Sequence, residues 1–269
     1  MKNILSLFDG ISCARLALDR ANIEYDNYYA SEIDKYALQV TAKQFPDNIN
    51  LGDITKLTED DLPSDVFLLI GGSPCTSLSC AAGQKESGLK KGESTLFWEY
   101  LRVLKLVKPK YFILENVASM KKADRDIITQ EMGVEPIKIN SSLVSGQQRS
   151  RLYWSNIEVR EQPEDKNIHL KDILESGYTE KDKSYCLTAT YDRACVRDYI
   201  GKSSRQLVFN KPIKVSCIGK CSQGSRVYSI DGKSVSLCAN GGGRWAKTGL
   251  YEVLKGYARK LSPIECERL

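Results

Sequence analysis

Histidine is almost missing from this sequence: its 269 residues include only His169. A zinc site of cysteine and histidine ligands has little to draw on, and the nine cysteines form no CxxC pair. Cys217 and Cys221 would make half a site, so no metal is expected. Long apolar runs are missing too. Met1 to Phe8 imitates the start of a signal segment, but Asp9 ends it. No later stretch approaches the ~20 apolar residues of a membrane span. With an odd cysteine count and no sign of secretion, reduced thiols and a cytoplasmic location are expected. There are no internal repeats, which excludes a solenoid. Charge of one sign is not dominant either: a net charge of +5 permits an anionic partner without requiring one.

What is present is an alternation of short apolar runs and amphipathic stretches over the first 160 residues. Ile4 to Phe8 reads as a strand, Asp9-Gly10-Ile11-Ser12 as a turn, and the stretch carrying Leu16, Leu18 and Ile23 as a helix. Tyr28 to Ser31 is a second strand ended by Glu32, residues 34–45 a helix, and Asp53 follows a short third strand. An acidic residue 22 positions after a turn glycine suits a half-sheet that binds a nucleoside through its ribose hydroxyls. One glycine is not the dinucleotide fingerprint, so a nucleoside without a pyrophosphate fits better than NAD.

The stretch Phe67 to Ile70, closed by Gly71-Gly72-Ser73-Pro74, predicts a buried parallel strand with Cys75 on a sharp turn at its carboxyl end. Ligands of open α/β sheets gather there, where a thiol is placed to attack rather than to pack. Residues 80–94 form a polar lysine-rich loop suited to a lid or to a phosphate backbone. Leu96 to Val107 is an amphipathic helix stopped by Pro109. Tyr111 to Leu114 is the next strand, with Glu115 at its mouth. A helix near 122–131 and a strand near 136–140 follow, and then Arg149 and Arg151 alternate on one face of a further strand. From about 160 short polar strands take over. Val227 to Leu237 predicts a hairpin turning at Asp231-Gly232, and Gly241-Gly242-Gly243-Arg244 follows. A basic, glycine-rich β region of this kind suits a recognition module.

In order, Phe8-Asp9-Gly10, Glu32, Gly52-Asp53, Gly72-Ser73-Pro74-Cys75, Glu115-Asn116-Val117, Gln147-Gln148-Arg149-Ser150-Arg151 and Arg259-Lys260-Leu261-Ser262-Pro263-Ile264-Glu265-Cys266 resemble the blocks of the bacterial and phage cytosine-C5 DNA methyltransferases. The resemblance implies a doubly wound, mostly parallel α/β sheet of the Rossmann-like S-adenosylmethionine-dependent type, formed by residues 1–160 with 256–269. A small β-rich target-recognition domain would occupy 161–255. It also implies catalysis by Cys75, Glu115, Arg149 and Arg151. S-adenosylmethionine would be held by Phe8, Asp9, Gly10, Ser12, Glu32, Ile33, Asp53, Ile54, Pro74 and Leu96. Double-stranded DNA would meet Ser79, Lys85, Lys90 and Lys91 of the loop and Gln223, Arg226, Asn240, Gly241 and Arg244 of the small domain.

The implied chemistry explains these residue types. Cytosine C5 is a poor nucleophile until a thiolate adds at C6, and Cys75 takes that role. Glu115 relieves the charge at N3, for which it should hold a proton in a water-poor pocket. The arginines orient Glu115 and hold a base flipped out of the duplex. Two other readings stay open: the same chemistry on RNA, and a non-catalytic DNA-binding half. The latter has a motive in the chain end. Ser262-Pro263-Ile264-Glu265 starts a helix, and the family normally continues past the position of Leu269 with a Gly-Asn block beside the cofactor. Low activity for this chain alone, and a second polypeptide supplying that block, are therefore expected.

Overall fold

The computed structural model describes residues 2–74, 89, 95–159, 161–179, 181–187, 191, 194, 199, 205–209, 216–217, 226–227 and 258–269. It divides into two compact units, one of residues 1–139 and 150–162, the other of residues 140–149 and 163–269. In the first, β1 (Asn3–Leu7), β2 (Asn27–Ser31), β3 (Ile49–Asn50), β4 (Val66–Gly71), β5 (Tyr111–Val117), β6 (Ile137–Asn140) and β7 (Ser150–Ser155) build one sheet. Its strand order is β3-β2-β1-β4-β5-β7-β6. Pairing is parallel from β3 through β5, and β7 runs antiparallel to β5. This is the doubly wound α/β class expected from the alternating pattern.

Alternation along the strands sorts side chains to two faces. Leu5, Leu7, Leu69 and Leu114 share one cluster with Phe97, Tyr100 and Leu101 of α3 (Leu96–Val107) and with Ile128 of α4 (Lys122–Met132). Ile4, Tyr28 and Leu68 share the other with Leu18 of α1 (Cys13–Arg20). Both faces are thus covered, which is why β1 has no exposed residue. Local signals set the helix ends. Asp34 caps α2 (Lys35–Gln44) by accepting from the Tyr36 and Ala37 N–H groups, and α4 stops at Gly133 in the left-handed region. Trp154, fully buried, donates its indole N–H to Thr129 Oγ1 at 3.0 Å.

Register positions everything that follows. Leu7 pairs with Ser31 on one side and Gly71 on the other, and Gly71 pairs with Leu114. The next residue on each strand is Phe8, Glu32, Gly72 and Glu115.

The second unit holds α5 (Leu170–Ile173), β8 (Val208–Phe209), β9 (Ser216–Cys217), β10 (Arg226–Val227), β11 (Ala258–Arg259) and α6 (Pro263–Arg268). Strand β8 pairs antiparallel with β11, and β9 with β10. The segment 256–269, expected with the first half, falls here because Glu265 and Ser262 bond to Glu175. The capping box expected at Ser262 is formed, with Pro263 opening α6. Beyond Val227 the expected Asp231-Gly232 hairpin lies outside the described residues, as does the 80–94 loop apart from Leu89. Arg149 is a correction: β7 begins at Ser150, so only Arg151 is on the strand.

Gly71 explains the tightness of the strand end. A Cβ there would lie 2.8 Å from two ring carbons of Tyr100 and 3.2 Å from the Leu7 carbonyl oxygen. The Tyr100 ring is fully buried in the core and has nowhere to retreat. Gly71→Ala should therefore destabilise the fold by about 1–3 kcal/mol, read as a lower urea midpoint at unchanged m-value.

Candidate active site

The carboxyl ends of β2, β1, β4 and β5 carry the site. Between β1 and β4 the chain's winding reverses direction, the place where open α/β sheets leave a crevice. A cavity of about 400 Å³ opens there, lined by Phe8, Ser31, Glu32, Ile33, Gly52, Asp53, Ile54, Thr55, Pro74 and Leu96. Seven of the ten residues that the sequence assigns to a cofactor are among them: Phe8, Glu32, Ile33, Asp53, Ile54, Pro74 and Leu96. Asp9, Gly10 and Ser12 do not line the cavity. The Asp9 carboxylate is occupied on both oxygens, by the Tyr28 hydroxyl at 2.7 Å and by the Ser12 hydroxyl. Burial, and then the Asp9 charge, push the Tyr28 phenol well above its ordinary pKa, so it stays a donor.

Glu32 is fixed by backbone donors. Its Oε2 accepts from the Gly10 N–H at 2.7 Å, and its Oε1 from the Ile33 and Asp34 N–H groups, both at 2.8 Å. A carboxylate offers about four acceptor positions, so one on Oε2 remains for a ligand. Asp53 spends Oδ1 on the Thr55 hydroxyl and N–H, which hold its pKa below the usual carboxylate range, and keeps Oδ2 beside Lys56. Two acidic side chains with acceptor oxygens and an apolar floor of Phe8, Ile54, Pro74 and Leu96 suit a nucleoside. No lysine or arginine is among the lining residues described, so nothing there favours a phosphate.

Along the same row, Glu115 sits against Gly72: a Cβ on Gly72 would lie 3.2 Å from Glu115 Oε2. Arg151 Nε meets Glu115 Oε1 at 2.6 Å, so one carboxylate oxygen is anchored. The arginine side chain is the more buried of the two, 14% exposed against 30%. The neighbouring Asn116, 1% exposed, donates through Nδ2 to the Ser73 carbonyl and hydroxyl at 3.2 and 3.1 Å. Glu115 and Asn116 thus clasp the turn that leads into Cys75. Cys75 itself, with Ser79, Lys85, Lys90, Lys91, Gln223, Asn240, Gly241 and Arg244, lies outside the described residues, and Arg226 is described only as part of β10.

In the second unit, Arg149 donates through Nη1 to Cys186 Sγ at 3.2 Å, and its N–H is held by Asn140 Oδ1 at 3.0 Å. The ammonium of Lys183 donates to the Ser142, Ser145 and Ile168 carbonyls at 2.7, 3.1 and 2.6 Å, fixing the loop that precedes Arg149. Among the described residues no group of His, Cys, Asp and Glu is placed to hold a metal ion, and no helix is long and apolar enough to cross a membrane.

Ser31, Thr55, Arg102 and Lys183 carry no motif and were not singled out from sequence. Arg102 of α3 shows why: its distant partners are backbone carbonyls. Its guanidinium donates to the Ile54 and Leu57 carbonyls at 2.8 and 2.9 Å and to Glu99 at 2.8 Å, stapling the cavity wall to the helix. Arg102→Met should lower stability by about 1–3 kcal/mol in urea unfolding because two carbonyls lose a charged donor. Arg102→Lys should restore only part, since an ammonium lacks the fork.

Comparison with known proteins matches this geometry to a family. A family model described as C-5 cytosine-specific DNA methylase matches residues 2–139, just over half the chain and most of the first unit. "Type II methyltransferase M.HhaI" of Haemophilus parahaemolyticus is 29% identical over 283 residues, covering 98% of this chain and 82% of that protein. "Orphan methyltransferase M.SPRI" of Bacillus phage SPR is 31% identical over 65% of this chain, and "Type II methyltransferase M.NgoBV" of Neisseria gonorrhoeae 38% over 48%. The matches span 42% and 31% of those two proteins. From the aligned strand ends to the matched first unit, this chain belongs to the C-5 cytosine-specific DNA methylases.

Proposed function

We propose that the protein transfers a methyl group from S-adenosylmethionine to C5 of a cytosine flipped out of duplex DNA, through a covalent bond to Cys75. The observation that carries this reading is the single row formed by Phe8, Glu32 and Gly72, just past β1, β2 and β4, and Glu115 on β5. Phe8 and Glu32 line the cavity, while Gly72 and Glu115 adjoin the turn into Cys75, so donor and base would meet at adjacent strands.

The cavity fits the cofactor in kind. Glu32 and Asp53 would accept from the hydroxyl and amino groups of adenosine, with Phe8, Ile33, Ile54, Pro74 and Leu96 against its apolar faces. The carboxylates of Glu32 and Asp53 in the lining suit a positively charged ligand such as a sulfonium. When bound, S-adenosylmethionine supplies an electrophilic methyl group.

This chain's residues do the rest. The Cys75 thiolate adds to C6 of the ring, which makes C5 electron-rich enough to take a methyl group. The Glu115 carboxyl group, held through Oε1 by Arg151, would donate its proton to N3 as negative charge develops on the ring, and a pre-oriented group there needs no reorganisation. Loss of the C5 proton to a base then breaks the bond to C6 and returns the thiolate. Arg149 would hold the flipped nucleotide, since a fixed guanidinium suits a phosphate. Gln223, Arg226, Asn240, Gly241 and Arg244 would read the duplex, and Ser79, Lys85, Lys90 and Lys91 would contact its backbone.

Cys75→Ser should abolish transfer, because a hydroxyl has too high a pKa to serve as the nucleophile, while binding of S-adenosylhomocysteine and DNA persists. A duplex carrying 5-fluorocytosine should become covalently attached to the wild type and not to the variant, as seen by denaturing electrophoresis. Transfer by the variant at the wild-type rate would sink the assignment, and preferential methylation of RNA over duplex DNA would redirect the substrate.

Alanine variants at Gln223 and Arg226 should each lose about 1–3 kcal/mol of discrimination between target and non-target sites. Cofactor affinity should be unchanged. A uniform fall in activity with the same site preference would place recognition elsewhere.

A further inference from the structure

The turn after β1 holds two non-glycine residues in the left-handed region, Phe8 at φ 57° and Ser12 at φ 60°. Side chains rarely adopt that conformation unless their surroundings over-determine it. Here the surroundings are polar and lie away from the cavity. Ser12 is fully buried. Its hydroxyl donates to Asp9 Oδ2 and accepts from Asn48 Nδ2 at 2.8 Å. Asn48 Oδ1 in turn accepts from Arg15 Nη1. Arg15, on α1, is itself immobilised: its side chain is 11% exposed, its Nη2 pairs with Asp47 at 2.7 Å, and the rings of Phe45, Tyr28 and Tyr25 lie 4.9, 5.7 and 5.9 Å from its guanidinium carbon.

The direction of this chain of bonds is set at its far end. A guanidinium only donates, so it selects the oxygen of the Asn48 amide and turns the NH₂ group toward Ser12. The Ser12 hydroxyl then accepts from Asn48, and its one proton goes to Asp9. With Tyr28 on the other oxygen, both Asp9 oxygens are bonded, its N–H donates to the Ser31 carbonyl at 3.2 Å, and its carbonyl accepts from the Ser12 N–H at 3.2 Å. The loop so fixed presents Phe8 to the cavity and the Gly10 N–H to Glu32.

We infer that Arg15 and Asn48 are positioning residues for the nucleoside pocket, setting the polarity of a relay through Ser12 and Asp9 that holds Phe8 and Gly10 in their binding conformation. Neither residue lines the cavity. This rests on the reading of that cavity as the S-adenosylmethionine site.

Asn48→Asp separates positioning from packing. A carboxylate still accepts from Arg15, and more strongly, but it cannot donate to Ser12, whose proton then has two carboxylates to choose between. The variant should unfold at or above the wild-type temperature. It should bind S-adenosylhomocysteine about tenfold more weakly by calorimetry, a loss worth one charged hydrogen bond. Its KM for S-adenosylmethionine should rise by a similar factor while kcat is retained. Arg15→Met should weaken binding comparably, with Arg15→Lys recovering part of it. If Asn48→Asp does not fold, Ser12→Ala removes the relay without adding charge, and the same tenfold loss is expected.

Wild-type protein that fails to bind S-adenosylhomocysteine would refute the pocket reading itself. Wild-type protein that binds it, beside an Asn48→Asp variant of equal affinity, would overturn the relay alone. Melting temperature and affinity falling together in both Asn48→Asp and Ser12→Ala would also overturn it, because the contacts would then be purely structural.

Discussion

Parallel pairing of β1 with β2 on one side and β4 on the other is the constraint on which the rest depends. Parallel strands end at the same edge of a sheet, so a shared register sets their next residues side by side. One residue of slip in β4 would turn its apolar set to the wrong face and carry Gly72 away from Phe8. The register is held by burial on both faces, where Leu5, Leu7 and Leu69 pack under α3 and Ile4 and Leu68 under α1. Core packing and active-site geometry are therefore one problem in this fold. The close approach of Gly71 to Tyr100 is where the two meet most tightly.

Beyond the strand ends, polar groups are satisfied mostly by backbone rather than by one another. Glu32 accepts from three N–H groups, Asn116 holds the Ser73 carbonyl, and Arg102 and Lys183 reach carbonyls. Side chains used in this way fix loop shape without consuming the surfaces a ligand would touch. The contrast between Asp9 and Asp53 makes the point. Asp9 is enclosed by hydroxyl donors and braces its loop, while Asp53 keeps one oxygen at the cavity.

The strands, the α/β class and the row of Phe8, Glu32, Gly72 and Glu115 were legible in sequence because hydrophobic alternation and glycine turns report directly on a sheet and its edge. The seven cavity-lining residues were singled out by the family resemblance and not by alternation. Asp9 and Ser12, which the resemblance assigns to the cofactor, bond to each other and do not line the cavity, since a motif records that a residue type is needed and not which way it faces. Arg149 was misplaced by one position, since alternation cannot tell the last loop residue from the first strand residue. Arg15, Asn48, Arg102 and Lys183 were invisible, because their partners are distant in sequence or are backbone atoms common to every residue.

Glu265 has a consequence for how such a chain can change. Fully buried, it accepts the Glu175 N–H at 2.7 Å across 90 positions of sequence, while Ser262 reaches the Glu175 carboxylate at 2.6 Å and Arg268 the Ile173 carbonyl at 3.2 Å. These bonds hold residues 173–175 and 262–268 together. The entropy of closing a loop grows only with the logarithm of its length, so doubling the enclosed segment costs about 0.6 kcal/mol. A clasp of this kind leaves the sequence between its two sides free to change in length at little cost while the bonds that form it are kept.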